Sequence, residues 1–260
     1  MDEKYSRMRK IIVALVVFMG LMDNIMAQNP DYLFMIENAC KAPSGHNTQP
    51  WLFKIGASEI DIYPDFSKEL PIVDPSHREL FVSLGCATEN LCIAAHEKGY
   101  HTEVKVIENS FIRVLLTEGK EKLPDSLFFP QIAVRQTNKR VYNGEAIPES
   151  TINILKMVPI EPSVSIHFYR NGTVDYDTIA GWVYAGNHLQ MNDEAFKTEL
   201  TDWMRYNKKQ QDNARDGLSY ATFGAPNIPL FMAKFIMSKL INEKTQNKGD
   251  RKKIASASYM

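Results

Sequence analysis

Residues 42–51 read APSGHNTQPW, and no other stretch of the chain carries as much information about its architecture. A helical apolar pattern precedes it over 31–41, and Pro43 ends that pattern because proline stops a helix. An apolar run typical of a strand follows over 51–55. The stretch therefore predicts a tight loop between a helix and a strand, in which Gly45 permits close approach of the backbone to a ligand.

The side chains of this loop suit a planar ligand that forms hydrogen bonds. Ser44 offers a hydroxyl group and Asn47 offers an amide, so donors and acceptors are both available. A rigid connector between a helix and a strand would use the same residue types. The loop by itself leaves both interpretations open.

A second polar cluster, RQTNKR, occupies residues 135–140. Arg135, Thr137 and Lys139 alternate, so an extended backbone would point all three side chains in one direction. Two cations and a hydroxyl group on one side suit a phosphate. The alternative is a solvated basic loop.

Helix and strand patterns alternate along the rest of the chain, and the strongest is a helix over 78–98 that ends before Gly99. A polar, proline-flanked segment over 119–130 predicts a boundary between two halves. The other predicted elements are strands over 58–63, 102–107, 111–117 and 164–169, helices over 148–157, 173–190 and 193–209, a loop over 216–229 and a mobile basic tail over 244–253.

Composition and motifs exclude several classes of protein. The 260 residues carry 30 Lys and Arg against 31 Asp and Glu, a net charge of -1, so no global charge favours nucleic acid. Three cysteines without CxxC spacing make structural zinc improbable. His96 and His101 lie five residues apart with Gly99 between them, which does not place two zinc ligands on one helix face. We expect no metal site. Dinucleotide-binding, P-loop and hydrolase-elbow motifs are absent from the sequence.

The first 27 residues are typical of a secretory signal peptide. Basic residues 4–10 precede an apolar run over 11–22, and Ala27 stands at a cleavage position. A bilayer span takes roughly 20 apolar residues, so the run is short for one. We expect an exported, periplasmic protein of a bacterium. A buried first helix is the alternative, with a cytoplasmic protein if the segment is not cleaved.

Several motifs together resemble the FMN-dependent nitroreductase superfamily, and more narrowly its Acg-like branch. These are APSGHNTQPW, the segment VDPSHREL at 73–80 with the SLGCA helix after it, and RQTNKRVY at 135–142. The later residues Glu199, Trp203, Arg205, Asp216 and Gly217 also resemble a signature of that branch. In the Acg-like branch, two nitroreductase-like halves are fused in one chain and mimic the usual dimer.

The resemblance implies an α+β fold with a mixed, mostly antiparallel sheet flanked by helices. Its two half-domains, 28–130 and 131–260, would form a pseudo-dimer, either as a monomer or as a homodimer. Only one flavin site is expected, because the first half lacks an Arg-x-Ser-x-Arg start. The chain also stops before the strand and helix that complete the second half in that branch, so the C-terminal part of the second half is expected to be missing.

The resemblance also implies the cofactor residues. Pro43, Ser44, Gly45 and Asn47 match positions that cover the isoalloxazine ring, and Arg135, Thr137 and Lys139 match positions that bind the ribityl phosphate. The implied activity is FMN-binding, NAD(P)H-dependent reduction of a nitroaromatic or quinone-like small molecule. No general base is needed, so no catalytic residue is assigned.

Two further interpretations stay open, a protein that sequesters FMN without catalysis and a degenerate paralogue that binds no flavin. Nicotinamide cofactors are scarce outside the cytosol, so an exported protein could use another electron donor. We expect neither a nucleic-acid partner nor a stable membrane span once the signal peptide is removed.

Overall fold

A computed structural model describes residues 29–108, 110–119, 121–137 and 139–260. The predicted signal peptide, residues 1–27, and Asn138 of the basic cluster lie outside them. Contacts divide the described chain into two units. The first unit holds residues 29–45, 49–69 and 77–135, and the second holds residues 46–48, 70–76 and 136–260. The predicted half-domains and their pseudo-dimeric relation stay predictions.

An antiparallel sheet forms one side of the first unit. Its strands are β1 (Trp51–Ile55), β2 (Glu59–Pro64), β3 (Tyr100–Ile107) and β4 (Phe111–Glu118), in the order β1-β2-β4-β3. All three pairings are antiparallel. The mostly antiparallel sheet predicted from the sequence is confirmed, and each strand lies within two residues of its predicted position.

Helices α1 (Pro30–Ala39) and α2 (Arg78–Glu97) supply the other side of this core. Helix α2 buries the apolar stripe that its sequence predicts: Leu80, Leu84, Ala87, Leu91, Ala94 and Ala95. Gly99 follows the helix with φ of +81°, a conformation that glycine adopts without strain. A short helix α3 (Phe129–Val134) ends this unit and lies partly in the predicted boundary segment.

The second unit is mainly helical and also holds two very short strands. Its helices are α4 (Glu149–Lys156), α5 (Val174–Asn192), α6 (Glu194–Asp202), α7 (Lys208–Ala214), α8 (Leu230–Leu240) and α9 (Glu243–Ser256). Strands β5 (Met204–Arg205) and β6 (Leu218–Ser219) pair in parallel. An α+β protein with a mostly antiparallel sheet is therefore observed.

The predicted strand over 164–169 is wrong. Its alternating apolar residues Val164 and Ile166 are both about half exposed, so the alternation marks no buried face. A single bridge joins Arg170 to Tyr259, and the described residues place no further strand beside the segment. An alternating pattern needs a neighbouring strand with several backbone hydrogen bonds, and one isolated bridge does not provide it.

The predicted helix over 193–209 is also wrong, because the chain breaks it into two helices and a strand. Helix α6 ends at Asp202, and Arg205 pairs in β5 with Ser219 of β6. Asn207 then caps a new helix by accepting a hydrogen bond from the Gln210 amide. A pairing with residues further along the chain overrides the local helical pattern.

The basic tail predicted over 244–253 is helix α9 in the structure. Asn242 caps its first turn, since its side chain accepts a hydrogen bond from the Thr245 amide at 3.0 Å. Asn187 of α5 donates to Asn247 and Asp250, both at 2.9 Å. The helix is thus held by a partner that charge composition alone does not reveal. Among the described helices, none is long and apolar enough to cross a membrane.

Candidate functional site

The backbone of the 42–51 loop is unusual because several residues other than glycine have positive φ. His46, Asn47 and Gln49 have φ of 46°, 55° and 55°. Each such residue costs roughly 1–2 kcal/mol relative to ordinary backbone. Strain of this kind gathers at functional sites when the surroundings hold it in place.

In the first unit, hydrogen bonds fix the part of the loop that lies there. Ser44 Oγ accepts from the Gln49 amide at 3.0 Å, and the Gly45 amide donates to Ser83 Oγ of α2 at 3.4 Å. Pro43 is exposed, whereas Ser44 and Gly45 are half-buried. These hydrogen bonds give the segment a defined conformation, and both interpretations of the loop stay open.

In the second unit, Asn47 forms a reciprocal pair with Gly217. Asn47 Nδ2 donates to the Gly217 carbonyl at 3.1 Å, and the Gly217 amide donates to the Asn47 carbonyl at 2.8 Å. Gly217 has φ of +78°, and a Cβ atom there would lie 2.4 Å from the Trp203 carbonyl oxygen. Only glycine fits this position without a shift of the backbone.

The residues that resemble the later family signature gather around this pair. Arg205 donates from Nε and Nη2 to Asp216 Oδ1 at 3.1 and 2.6 Å, and both side chains are 15% exposed. The Arg205 guanidinium carbon lies 5.5 Å from the centre of the Trp203 ring. The ion pair holds the side chain of Asp216, the residue immediately before Gly217, in one position.

Glu199 holds another segment of the second unit. Its buried carboxylate accepts hydrogen bonds from the amides of Ile72 and Val73 at 2.9 and 3.0 Å. Bonds from backbone amides to a carboxylate are stronger than neutral ones. Val73, the first residue of the motif at 73–80, therefore contacts Glu199 of the later signature.

His46 contributes a buried nitrogen to this unit. Within the described residues, its Nδ1 has no hydrogen-bond partner. Desolvation lowers the pKa of the His46 imidazole, with Glu199 opposing and Lys139 reinforcing that shift. The ring is therefore neutral at pH 7, and a polar group of a ligand would relieve the cost of its unpaired nitrogen.

A polar pocket of about 480 Å³ opens beside Asn47 in the second unit. Its volume lies within the roughly 300–1,000 Å³ range of small-molecule sites. Sequence reasoning missed most of its lining, because charged side chains on a short helix give no local signal for a pocket. The lining residues are Asn47, Lys208, Gln211, Asp212, Arg215, Asp216, Gly217 and Ser219.

The basic cluster begins where α3 ends. Arg135 has an extended backbone in the first unit, and its Nη2 donates to the Lys41 carbonyl at 3.4 Å. Thr137 and Lys139 are exposed residues of the second unit. The Lys139 ammonium lies 5.1 Å from the centre of the Phe223 ring. Partial desolvation, and then repulsion by Lys253, lower the pKa of Lys139.

Of the sequence-predicted cofactor residues, the second unit holds Asn47, Thr137 and Lys139, and the first holds Pro43, Ser44, Gly45 and Arg135. Gly45 and Asn47 belong to short 3-10 structure, and the other five residues lie outside helices and strands. Among the described residues, no group of three or more His, Cys, Asp or Glu side chains could hold a metal ion.

The α+β architecture with its mostly antiparallel sheet is compatible with a nitroreductase-like fold. No family model matches the chain. Two proteins of Mycobacterium tuberculosis, from strains CDC 1551 / Oshkosh and H37Rv, are each 29% identical to it over 170 residues and carry the name "Putative NAD(P)H nitroreductase". The match covers 64% of this chain and 48% of each relative, so the chain matches about half the length of these relatives. The similarity supports a nitroreductase family.

Proposed function

We propose that the protein binds FMN and reduces nitroaromatic or quinone-like acceptors with electrons from NAD(P)H. The names of the two mycobacterial relatives support an NAD(P)H-dependent reductase. The structural observation that carries the proposal is the Asn47–Gly217 pair beside a polar pocket of about 480 Å³. A strained loop that is held in place by its surroundings is a feature that clusters at ligand sites.

The donor set of the second unit fits a flavin. The polar edge of a flavin ring offers carbonyl oxygens and ring nitrogens, which amides and a neutral imidazole can bond. Asn47 lines the pocket, and the buried His46 Nδ1 has no partner among the described residues. We assign Asn47, Pro43, Ser44 and Gly45 to the isoalloxazine ring, and bound FMN would supply the hydride chemistry.

The basic cluster supplies the charge that a phosphate needs. Arg135 and Lys139 are exposed cations with a hydroxyl group between them in the sequence, at Thr137. Desolvation lowers the pKa of Lys139 because its ammonium group has lost part of its hydration. A bound anion would stabilise that charge in place of the lost water. We therefore assign Arg135, Thr137 and Lys139 to the phosphate.

Quenching of flavin fluorescence tests the proposal. We expect FMN to bind the wild-type chain, and Asn47→Ala to weaken FMN and riboflavin alike because both carry the ring. Lys139→Gln should weaken FMN about tenfold and leave riboflavin nearly unchanged. Asn143→Ala and Lys156→Gln, exposed positions of the same unit, are the matched controls.

Steady-state oxidation of NAD(P)H with a nitroaromatic acceptor then tests catalysis. Turnover that depends on bound FMN supports the reductase. FMN binding without turnover by any donor would instead make the protein a flavin-sequestering one. A chain that binds no flavin at any concentration contradicts the whole assignment.

Export is the remaining proposal, and it rests on the sequence of residues 1–27 alone. N-terminal sequencing of the protein from its native host should begin at or near Gln28. Recovery of an intact Met1 in a cytoplasmic fraction would overturn it.

A further inference from the structure

Helix α8 presents an apolar face to the outside of the second unit. Phe231 and Phe235, one turn apart, are 75% and 66% exposed. Met232, Ile236 and Leu240 continue this face, and each is more than two-fifths exposed. Single exposed apolar residues are ordinary, but five on one side of an 11-residue helix form a patch of the kind that marks an interaction site.

The opposite side of α8 fixes its orientation. Ala233 is buried, and Met237 and Ile241 pack with it against Met204 and Tyr206. Rotation of the helix to hide the phenylalanines would expose this small core. The apolar face is therefore a stable feature of the unit and not an alternative position of the helix.

Two lysines of α8 lie close to aromatic rings, and one of them, Lys239, stands on the apolar face four residues after Phe235. The Lys239 ammonium is 5.9 Å from the Phe235 ring, and the Lys234 ammonium is 5.8 Å from the Tyr206 ring. A lysine stem can lie along apolar surface while its charged end reaches the headgroups of a membrane. Lysines at the boundary of a membrane adopt this arrangement.

The next helix, α9, adds a basic face. Lys244, Lys248, Arg251 and Lys252 are all exposed and follow the i, i+4, i+7, i+8 spacing of one helix side. The two acids of α9 are engaged elsewhere, since Glu243 pairs with His188 at 2.8 Å and Asp250 with Lys253 at 3.0 Å. The basic face is therefore not neutralised from within its own helix.

Charge is concentrated in this part of the chain. Residues 230–260 contain seven Lys and Arg against two Asp and Glu, a net charge of +5, whereas the whole chain has a net charge of -1. The chain as a whole has no electrostatic attraction to anions, but the surface of α8 and α9 has one.

We propose that α8 and α9 form a docking surface for an anionic lipid membrane. Helix α8 would lie in the plane of the interface with Phe231 and Phe235 among the acyl chains, and the basic face of α9 would contact the headgroups. Large apolar side chains next to lysines are typical of helices that lie on a membrane. A nucleic acid would be recognised by the cations but would gain nothing from exposed Met, Ile and Leu side chains.

Sedimentation of the full chain with vesicles tests the proposal. We expect binding to phosphatidylcholine vesicles that contain phosphatidylglycerol, little binding to phosphatidylcholine alone, and loss of binding as salt rises. The variant K244Q/K248Q/K252Q should bind the mixed vesicles about a hundredfold more weakly. The variant F231S/F235S should lose about tenfold or more.

The control variant V104S/V106S alters exposed apolar residues of β3 in the first unit and should bind as the wild type does. Circular dichroism establishes that each variant is folded. Equal sedimentation with both vesicle types, or no effect of the two docking variants, overturns the proposal. So does a homodimer that F231S/F235S disrupts in the absence of vesicle binding, or a DNA duplex that binds as tightly as the mixed vesicles.

Discussion

Replacement of Gly217 by alanine tests the centre of the candidate site. The new Cβ would lie 2.4 Å from the Trp203 carbonyl oxygen, and the residue would keep a φ of +78°. The left-handed backbone alone costs about 1–2 kcal/mol for alanine. A backbone shift that relieves the contact would also break both hydrogen bonds to Asn47, each worth about 1 kcal/mol. We expect roughly 3–5 kcal/mol less stability and much weaker FMN binding.

Gly224→Ala is the matched control for this substitution. Gly224 has φ of +71°, and nothing lies within 4 Å of a Cβ atom built there. Gly224→Ala therefore measures the cost of the left-handed backbone alone, about 1–2 kcal/mol, without a close contact of the new Cβ atom. Urea unfolding measures both variants and flavin fluorescence measures their affinity for FMN. Equal losses of stability in the two variants would refute the close approach at Gly217.

Three further predictions address charge. Arg135→Ala should weaken FMN by about 1.5–3 kcal/mol and riboflavin by much less, and equal losses in fluorescence titration would remove Arg135 from the phosphate. Glu199→Gln keeps only one of the two oxygens that accept from the amides of Ile72 and Val73, and should lower the free energy of unfolding by about 1–3 kcal/mol in urea. The exposed control Glu194→Gln, which removes one ion pair with Lys197, should lower it by about 0.5 kcal/mol or less, and equal effects of the two variants would contradict the role given to Glu199. The hydrogen bonds from Arg113 lower the pKa of Asp61, so the ionised Asp61 carboxylate stabilises the folded state. This contribution is complete above the ordinary Asp pKa of about 3.9 and is lost as the pH falls through the lower pKa of the folded state. Urea unfolding from pH 7 downward should show this loss of stability in the wild type and not in Asp61→Asn.

Local patterns predicted the first unit well because its elements pair with close sequence neighbours. The hairpins β1–β2 and β3–β4 join strands separated by three residues each, and α2 ends at a glycine that the sequence marks. In such elements, the residues that pair with a strand or end a helix lie within a few positions of it in the sequence. Propensity and periodicity then agree with the tertiary contacts.

The second unit was predicted less well because distant residues decide it. Helix α6 stops at Asp202 to allow β5 to pair with β6, and α9 forms where charge composition indicated a mobile tail. In each case a partner elsewhere in the chain outweighs the local preference. No window of a few residues contains that partner.

The candidate site shows the same division between local and distant information. Residue types predicted Asn47 as a ligand-binding amide, with a rigid connector as the alternative, but its partner Gly217 lies 170 residues away in the sequence. The resemblance placed Asp216 and Gly217 in a family signature without saying what they contact. The structure supplies the physical reason for that glycine, since its missing side chain makes room for the Trp203 carbonyl while its backbone holds the strained loop. A signature glycine that lies far from the predicted site in the sequence therefore belongs to the candidate site, because its two hydrogen bonds hold Asn47 in place.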